Sequence, residues 1–274
     1  MEKPAYLVFD IESAADPELI SKVHFGGKVP PEESVRKYRD ALLAQNNSDF
    51  IPYTFQYPVC VVIGKVAKDF SLMDIVVLDE PQCRPHEICK IFWNCLLKHY
   101  ETGPIPVLVS FNGRGFDIPM LELSAFRYGI PIPKWFTSGL KSPRYRYNTD
   151  SHLDLCEVLT NSGASRFNGG LNLAASLLGK PGKMDTQGFM VQDMYEAGKL
   201  VEINDYCRCD VLDTYFVFLR VMLLSGKLTL QEEQNLVRQT KDKLMQQSEK
   251  IAVYKQYLDN WGDWKNPWDE NAAL

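Results

Sequence analysis

The chain contains no long apolar run. None approaches the roughly 18 residues that a bilayer span needs, which excludes a membrane protein of the helical kind. No Cys-x-x-Cys pair occurs among the seven cysteines, and the four histidines have no zinc-like arrangement. Most cysteines sit in apolar surroundings and read as reduced core residues of a cytoplasmic protein. The opening Met-Glu-Lys-Pro leads straight into a strand-like run instead of a secretory signal. No Gly-Lys pair is followed by Ser or Thr, so the phosphate-binding loop of nucleotidases is missing. Basic charge is also short: 30 Lys and Arg against 35 Asp and Glu give a net −5. That is no footprint of bulk nucleic-acid binding. It leaves room for modest, salt-sensitive binding through local basic stretches. Internal repeats and low-complexity segments are absent.

What is present suffices for a sizeable core: 274 residues, 45% of them hydrophobic. Residues 5–11 read as a central strand, apolar on both faces. Residues 13–56, with Gly26-Gly27, Pro30-Pro31 and the charged run 32–40, read as a variable insertion holding one short helix. Strands are expected at 58–67 and 73–79, joined as a hairpin, and at 107–111. A helix over 85–100 would place Ile88, Ile91, Phe92, Cys95 and Leu96 on one face. Further helices are expected at 116–128, 171–178, 191–197 and 203–224, with a short strand turning helical over 152–159. The order implies an α/β protein: a mixed sheet of about five to six strands flanked by helices, with the first strand central. After residue 226 the chain turns polar and helix-favouring. Residues 1–226 read as one domain, and 227–274 as a C-terminal helical extension with a Trp-rich tail. That tail either packs back onto the domain or docks a protein partner.

Four acids carry the chemistry. Asp10 and Glu12 stand in Tyr6-Leu-Val-Phe-Asp-Ile-Glu-Ser, and two-residue spacing on a strand puts both on one face. Asp117 closes Asn112-Gly-Arg-Gly-Phe-Asp, at a turn leading into a helix. Tyr206 and Asp210 are four apart on a helix and share its face. Carboxylates amid apolar segments are costly unless compensated. A pair of hard divalent cations, Mg²⁺ or Mn²⁺, would compensate them and could clamp a phosphodiester displacement.

Phe9-Asp-Ile-Glu-Ser, Asn112 through Asp117, and Tyr206-Cys-Arg-Cys-Asp resemble, in order and separation, the three motifs of the DEDD 3′–5′ exonucleases. The resemblance covers residues 5–224. It is closest to the proofreading domain of family B DNA polymerases and its stand-alone bacterial relatives. It implies a ribonuclease H-like fold and, through Tyr206-x₃-Asp210, the tyrosine subclass; no histidine follows His152 to supply the histidine version. It further implies that Asp10, Glu12 and Asp210 hold one metal, that Asp10 bridges to a second held by Asp117, and that Tyr206 orients the attacking water. Residues 227–274 are too few for a polymerase, so a free-standing exonuclease is expected.

The implied substrate is single-stranded nucleic acid with a free 3′ end, with DNA favoured and 5′-mononucleotides released. An exoribonuclease and a catalytically silent binding module with the same fold are the alternatives. Asn112 either braces its turn or contacts the terminal nucleotide, and Phe116 lies beside it. Arg144 and Arg146 lie in Lys141-Ser-Pro-Arg-Tyr-Arg-Tyr, a mix of cations and rings that suits a single strand and equally suits a plain charged loop. Arg166, Asn172, Lys180 and Lys183 flank the glycine-rich stretch 163–170 as phosphate contacts. Asp154 reads as structural, and Asp205 and Asp213 as solvated or capping residues.

Overall fold

Strand β1 (Tyr6–Ala15) lies at the centre of a five-stranded sheet in a computed structural model that describes residues 3–102, 105–182 and 190–268. The order is β3-β2-β1-β4-β5. Antiparallel partners lie on one side: β2 (Gln56–Val66) against β1, and β3 (Leu72–Val77) against β2. On the other side β4 (Val107–Ser110) and β5 (His152–Asp154) run parallel to it. This mixed sheet, flanked by helices, is the ribonuclease H-like α/β fold.

A short helical turn, α1 (Pro17–Leu19), runs into a π-helical turn (Ile20–His24), and α2 (Pro31–Asn46) follows. Parallel pairing needs long crossovers, and α3 (Pro85–Thr102) and α4 (Asp117–Tyr128) supply them. The chain continues through α5 (Leu155–Leu159), α6 (Gly170–Ser176), α7 (Val191–Glu196), α8 (Leu200–Leu224), α9 (Leu230–Gln247) and α10 (Ala252–Asp259).

Strand alternation divides the core in two. Leu7, Phe9 and Ile11 meet Ile88, Phe92, Trp93 and Leu121 of α3 and α4. Val8 faces the other way, into the cluster built on α8 with Val211, Tyr215 and Phe218. Asp10 and Glu12 follow Val8 in the same alternation and so face α8. No helix among the described residues is long and apolar enough to cross a membrane.

Several expectations need correction. The helix of residues 13–56 is not short: α2 has 16 residues. Pro31 stands at its first turn, where a missing N–H costs nothing, so the Pro-Pro pair starts the helix instead of breaking the chain. β1 continues to Ala15, past a bulge between Glu12 and Ser13. The buried face of α3 is Ile88, Cys89, Phe92, Trp93 and Leu96, while Cys95 is exposed. Trp93 takes the place expected for Cys95, anchored by its Nε1–H to the Leu121 carbonyl at 3.1 Å. The C-terminal helical stretch is two helices, the second restarting at Ala252. In the tail, Trp261 packs edge-on against Phe216 and Trp264 lies over Arg220, whereas Trp268 is 81% exposed.

Candidate active site

β1 and α8 bring the first and third acidic segments together. Asp10, Glu12 and Cys207 offer ligand atoms that all lie within 4.8 Å of one another. Asp117 and Asp210 are not in that tightest group, yet both stand close enough to act on it. The Asp10 carboxyl is pushed well above its usual range, first by burial and then by the charges of Asp210 and Asp117. Glu12 is raised in the same way, by burial, then Asp10 and Asp210. Among the described residues, the largest influences on these two come from burial and from other acidic or thiol groups.

Asp117 arrives from the far side of the sheet. β4 pairs with β1 only along Tyr6–Val8, so β1 runs on beyond it. There the Ile11 backbone N–H hydrogen-bonds the Asp117 carboxylate. Asp117 is buried, and burial raises its pKa to about 7. The tight approach depends on Gly113. A Cβ there would lie 2.7 Å from the Ser110 Cβ and 3.1 Å from Asp117 Oδ2.

Asp154 secures that turn. Its Oδ1 accepts from the Asn112 N–H and its Oδ2 from the Arg114 N–H, each at 2.9 Å, while it also caps α5 through Cys156 and Glu157. Asn112 itself takes a positive φ of 65°, a conformation that asparagine tolerates better than most residues. The structural reading of Asp154 therefore has a specific content: it shapes the loop that delivers Asp117.

Tyr206 is buried beside the acids and hydrogen-bonds Asp210 one turn along α8. Burial first, then the charges of Asp210, Glu12 and Asp10, raise its pKa above the ordinary tyrosine value. Cys207 was missed by sequence reasoning. Its Sγ lies 3.4 Å from the Asp10 carbonyl oxygen and 3.6 Å from Asp10 Oδ2. Burial drives its pKa well above the usual thiol value, with Cys60 adding to the shift. It is thus a neutral thiol donor next to Asp10, which leaves a hard, all-oxygen ligand set. The signal was its place directly after Tyr206, within the turn of α8 that ends at Asp210.

The residues expected to meet substrate divide. Phe116 caps the start of α4 and shares a cavity with Glu12. Asn112, Arg144 and Arg146 line a separate cleft beside the 112–115 turn. Both arginines are exposed and ion-paired, Arg144 with Glu122 at 2.8 Å and Arg146 with Glu157 at 3.3 Å. Arg166 is exposed, and Asn172 lies against Gly182. Lys183 falls outside the described residues.

Two readings fail. Lys180 is buried, not a phosphate contact: its Nζ sits 4.0 Å from the Trp261 ring centre and donates to the Gly262 carbonyl at 3.2 Å. The folded-back tail covers it. Asp213 is fully buried, not solvated, and its Oδ1 accepts from the Tyr257 hydroxyl of α10 at 2.6 Å.

The acidic cluster fits divalent cations: several carboxylates, partly or wholly buried, raise one another's pKa. A family model described as "Predicted 3'-5' exonuclease related to the exonuclease domain of PolB" matches residues 48–261. The match takes in Asn112, Asp117, Tyr206 and Asp210 and begins after Asp10 and Glu12. No curated protein matches the chain.

Proposed function

Because this chain belongs to the family of predicted 3′–5′ exonucleases related to the exonuclease domain of PolB, we propose that it removes 5′-mononucleotides from the 3′ end of single-stranded DNA as a tyrosine-subclass DEDD enzyme. The observation that carries this reading is the meeting of Asp10, Glu12, Asp117, Tyr206 and Asp210 at one place, with acids that perturb one another. Asp10, Glu12 and Asp210 would hold one Mg²⁺ or Mn²⁺, and Asp10 with Asp117 a second. When bound, such a pair supplies an acidified water and charge neutralisation on the attacking and leaving oxygens.

The chain's own groups do the rest. Ile11 and Asp154 both hold Asp117 in place, one through its N–H and the other through the turn. Tyr206 keeps its proton at neutral pH, so it serves as a hydrogen-bonding post that aligns water, with Asp210 fixing the ring's direction.

A digestion series tests the proposal. Single-stranded DNA and RNA, each 5′-labelled, are incubated with Mg²⁺ or Mn²⁺. The expected result is a descending ladder on DNA that disappears with Asp10→Ala. A ladder on RNA alone moves the substrate to RNA, a single internal cut makes the protein an endonuclease, and no cleavage with either metal leaves a binding module.

A further inference from the structure

Two thiols back the acidic face of β1. Cys60 of β2 stands opposite Glu12 in the β1–β2 register, and directly opposed residues of an antiparallel pair point to one face. Cys207 reaches the same place from α8, between Tyr206 and Asp210. Both side chains are fully buried, and the two thiols hydrogen-bond to each other.

A buried cysteine usually serves as a small hydrophobe. Cys207 does more than fill space. Its Sγ lies 3.4 Å from the carbonyl oxygen and 3.6 Å from Oδ2 of Asp10, so one thiol touches backbone and side chain of the same residue. A thiol carries a single proton. With Cys60 donating to the Cys207 sulfur, the Cys207 proton is left for Asp10. The contact also joins two segments whose relative placement matters, since β1 carries Asp10 and Glu12 while α8 carries Asp210. A cationic donor at this spot would compete with a bound cation. A thiol, weak and uncharged, steadies the carboxyl group without neutralising it. Carboxylates that ligate metals are themselves held by hydrogen bonds, and losing such a partner costs about 10–100-fold in metal affinity.

We propose that Cys207, backed by Cys60, is a positioning residue of the metal centre: its thiol fixes the Asp10 carboxyl group in the orientation that receives divalent cations. The inference rests on the metal centre proposed above and gives a role to a residue outside the four acids and Tyr206.

The test titrates Mn²⁺ into the full chain at pH 7.5. Affinity is read by calorimetry, the coupled pair of ions by electron paramagnetic resonance, and folding by thermal denaturation without metal. Cys207→Ala is expected to weaken Mn²⁺ binding about tenfold and to diminish the coupled signal. Cys207→Ser, which keeps a donor, should recover most of the affinity. Cys209→Ala controls for the loss of packing. Cys209 is buried on the same helix, about 200° round from Cys207, so its truncation should lower Tm and leave Mn²⁺ affinity unchanged. Unchanged affinity in Cys207→Ala, an equal loss in Cys209→Ala, or a serine variant as weak as the alanine one overturns the proposal. If Cys207→Ala does not fold, Cys60→Ala decides: a smaller loss of affinity supports the role of the thiol pair, and no loss overturns it. An unaltered chain that binds Mn²⁺ but cuts no strand ends the exonuclease reading and leaves this comparison standing. One that binds no Mn²⁺ ends both.

Discussion

Tyr206 occupies the position of a base without the acidity for one. Burial and three carboxylates oppose its phenolate, so removing the hydroxyl should cost alignment alone. Tyr206→Phe is expected to lower kcat about ten- to a hundredfold, within the range for a positioned proton-sharing group, with KM for the strand little changed. The pH–rate profile should keep its shape, because even an ordinary phenol titrates near 10, above the working range. A profile that lost its rising limb would make the phenol the base after all. The shared face of Asp10 and Glu12 was legible because strand geometry makes a two-residue spacing unambiguous, and that of Tyr206 and Asp210 because a helix does the same at four. Asp213 was not legible. It follows Asp210 by three residues and looks like one more polar position, yet Tyr257, remote in sequence, seals it.

At the scale of elements, the loop from β4 to α4 is the tightest joint. Gly113 leaves no room for a methyl group between Ser110 and Asp117. Gly113→Ala is therefore expected to destabilise by about 1–3 kcal/mol, the usual range for overpacking, and to lose activity beyond what that loss of folded protein explains. A variant with unchanged Tm and activity would show the loop to be slack. α8 is tied to α10 by the buried Tyr257–Asp213 pair. Tyr257→Phe should lower stability by about 1–3 kcal/mol, the cost of leaving a buried polar group without its partner, as read by denaturant titration. No change in the midpoint would mean that Asp213 has other support. The strands and long helices were legible from hydrophobic periodicity. The length of α2 was not, because Gly26-Gly27 and Pro30-Pro31 read as marks of an insertion with one short helix, whereas the second proline starts the helix.

For the whole molecule, the acidic centre links stability to pH and to metal. An unfolded aspartate loses its proton near pH 4, whereas Asp117 in the folded protein keeps its own to about 7. The folded state then binds more protons than the unfolded one, so stability without metal falls as pH rises from about 4 through 7. His152, buried and lowered to about 3, works in the opposite direction, but only below its ordinary value of 6.5. Lys180, lowered to about 8, opposes the trend only near and above that pH. Between pH 6.5 and 7.5 the carboxylate effect should dominate: Tm without divalent ions falls over that span, and added Mn²⁺ restores more of it at 7.5 than at 6.5. A Tm that rose with pH there would contradict the assignment of raised carboxylates.

Titration of Mn²⁺ into the protein at pH 7.5, followed by calorimetry and by electron paramagnetic resonance, bears on the metal centre with no assumption about substrate. Two ions per chain are expected, magnetically coupled as a pair about 4 Å apart, with Asp10→Ala abolishing the coupled signal. A signal from isolated Mn²⁺ only, or one that Asp10→Ala leaves intact, would contradict the account.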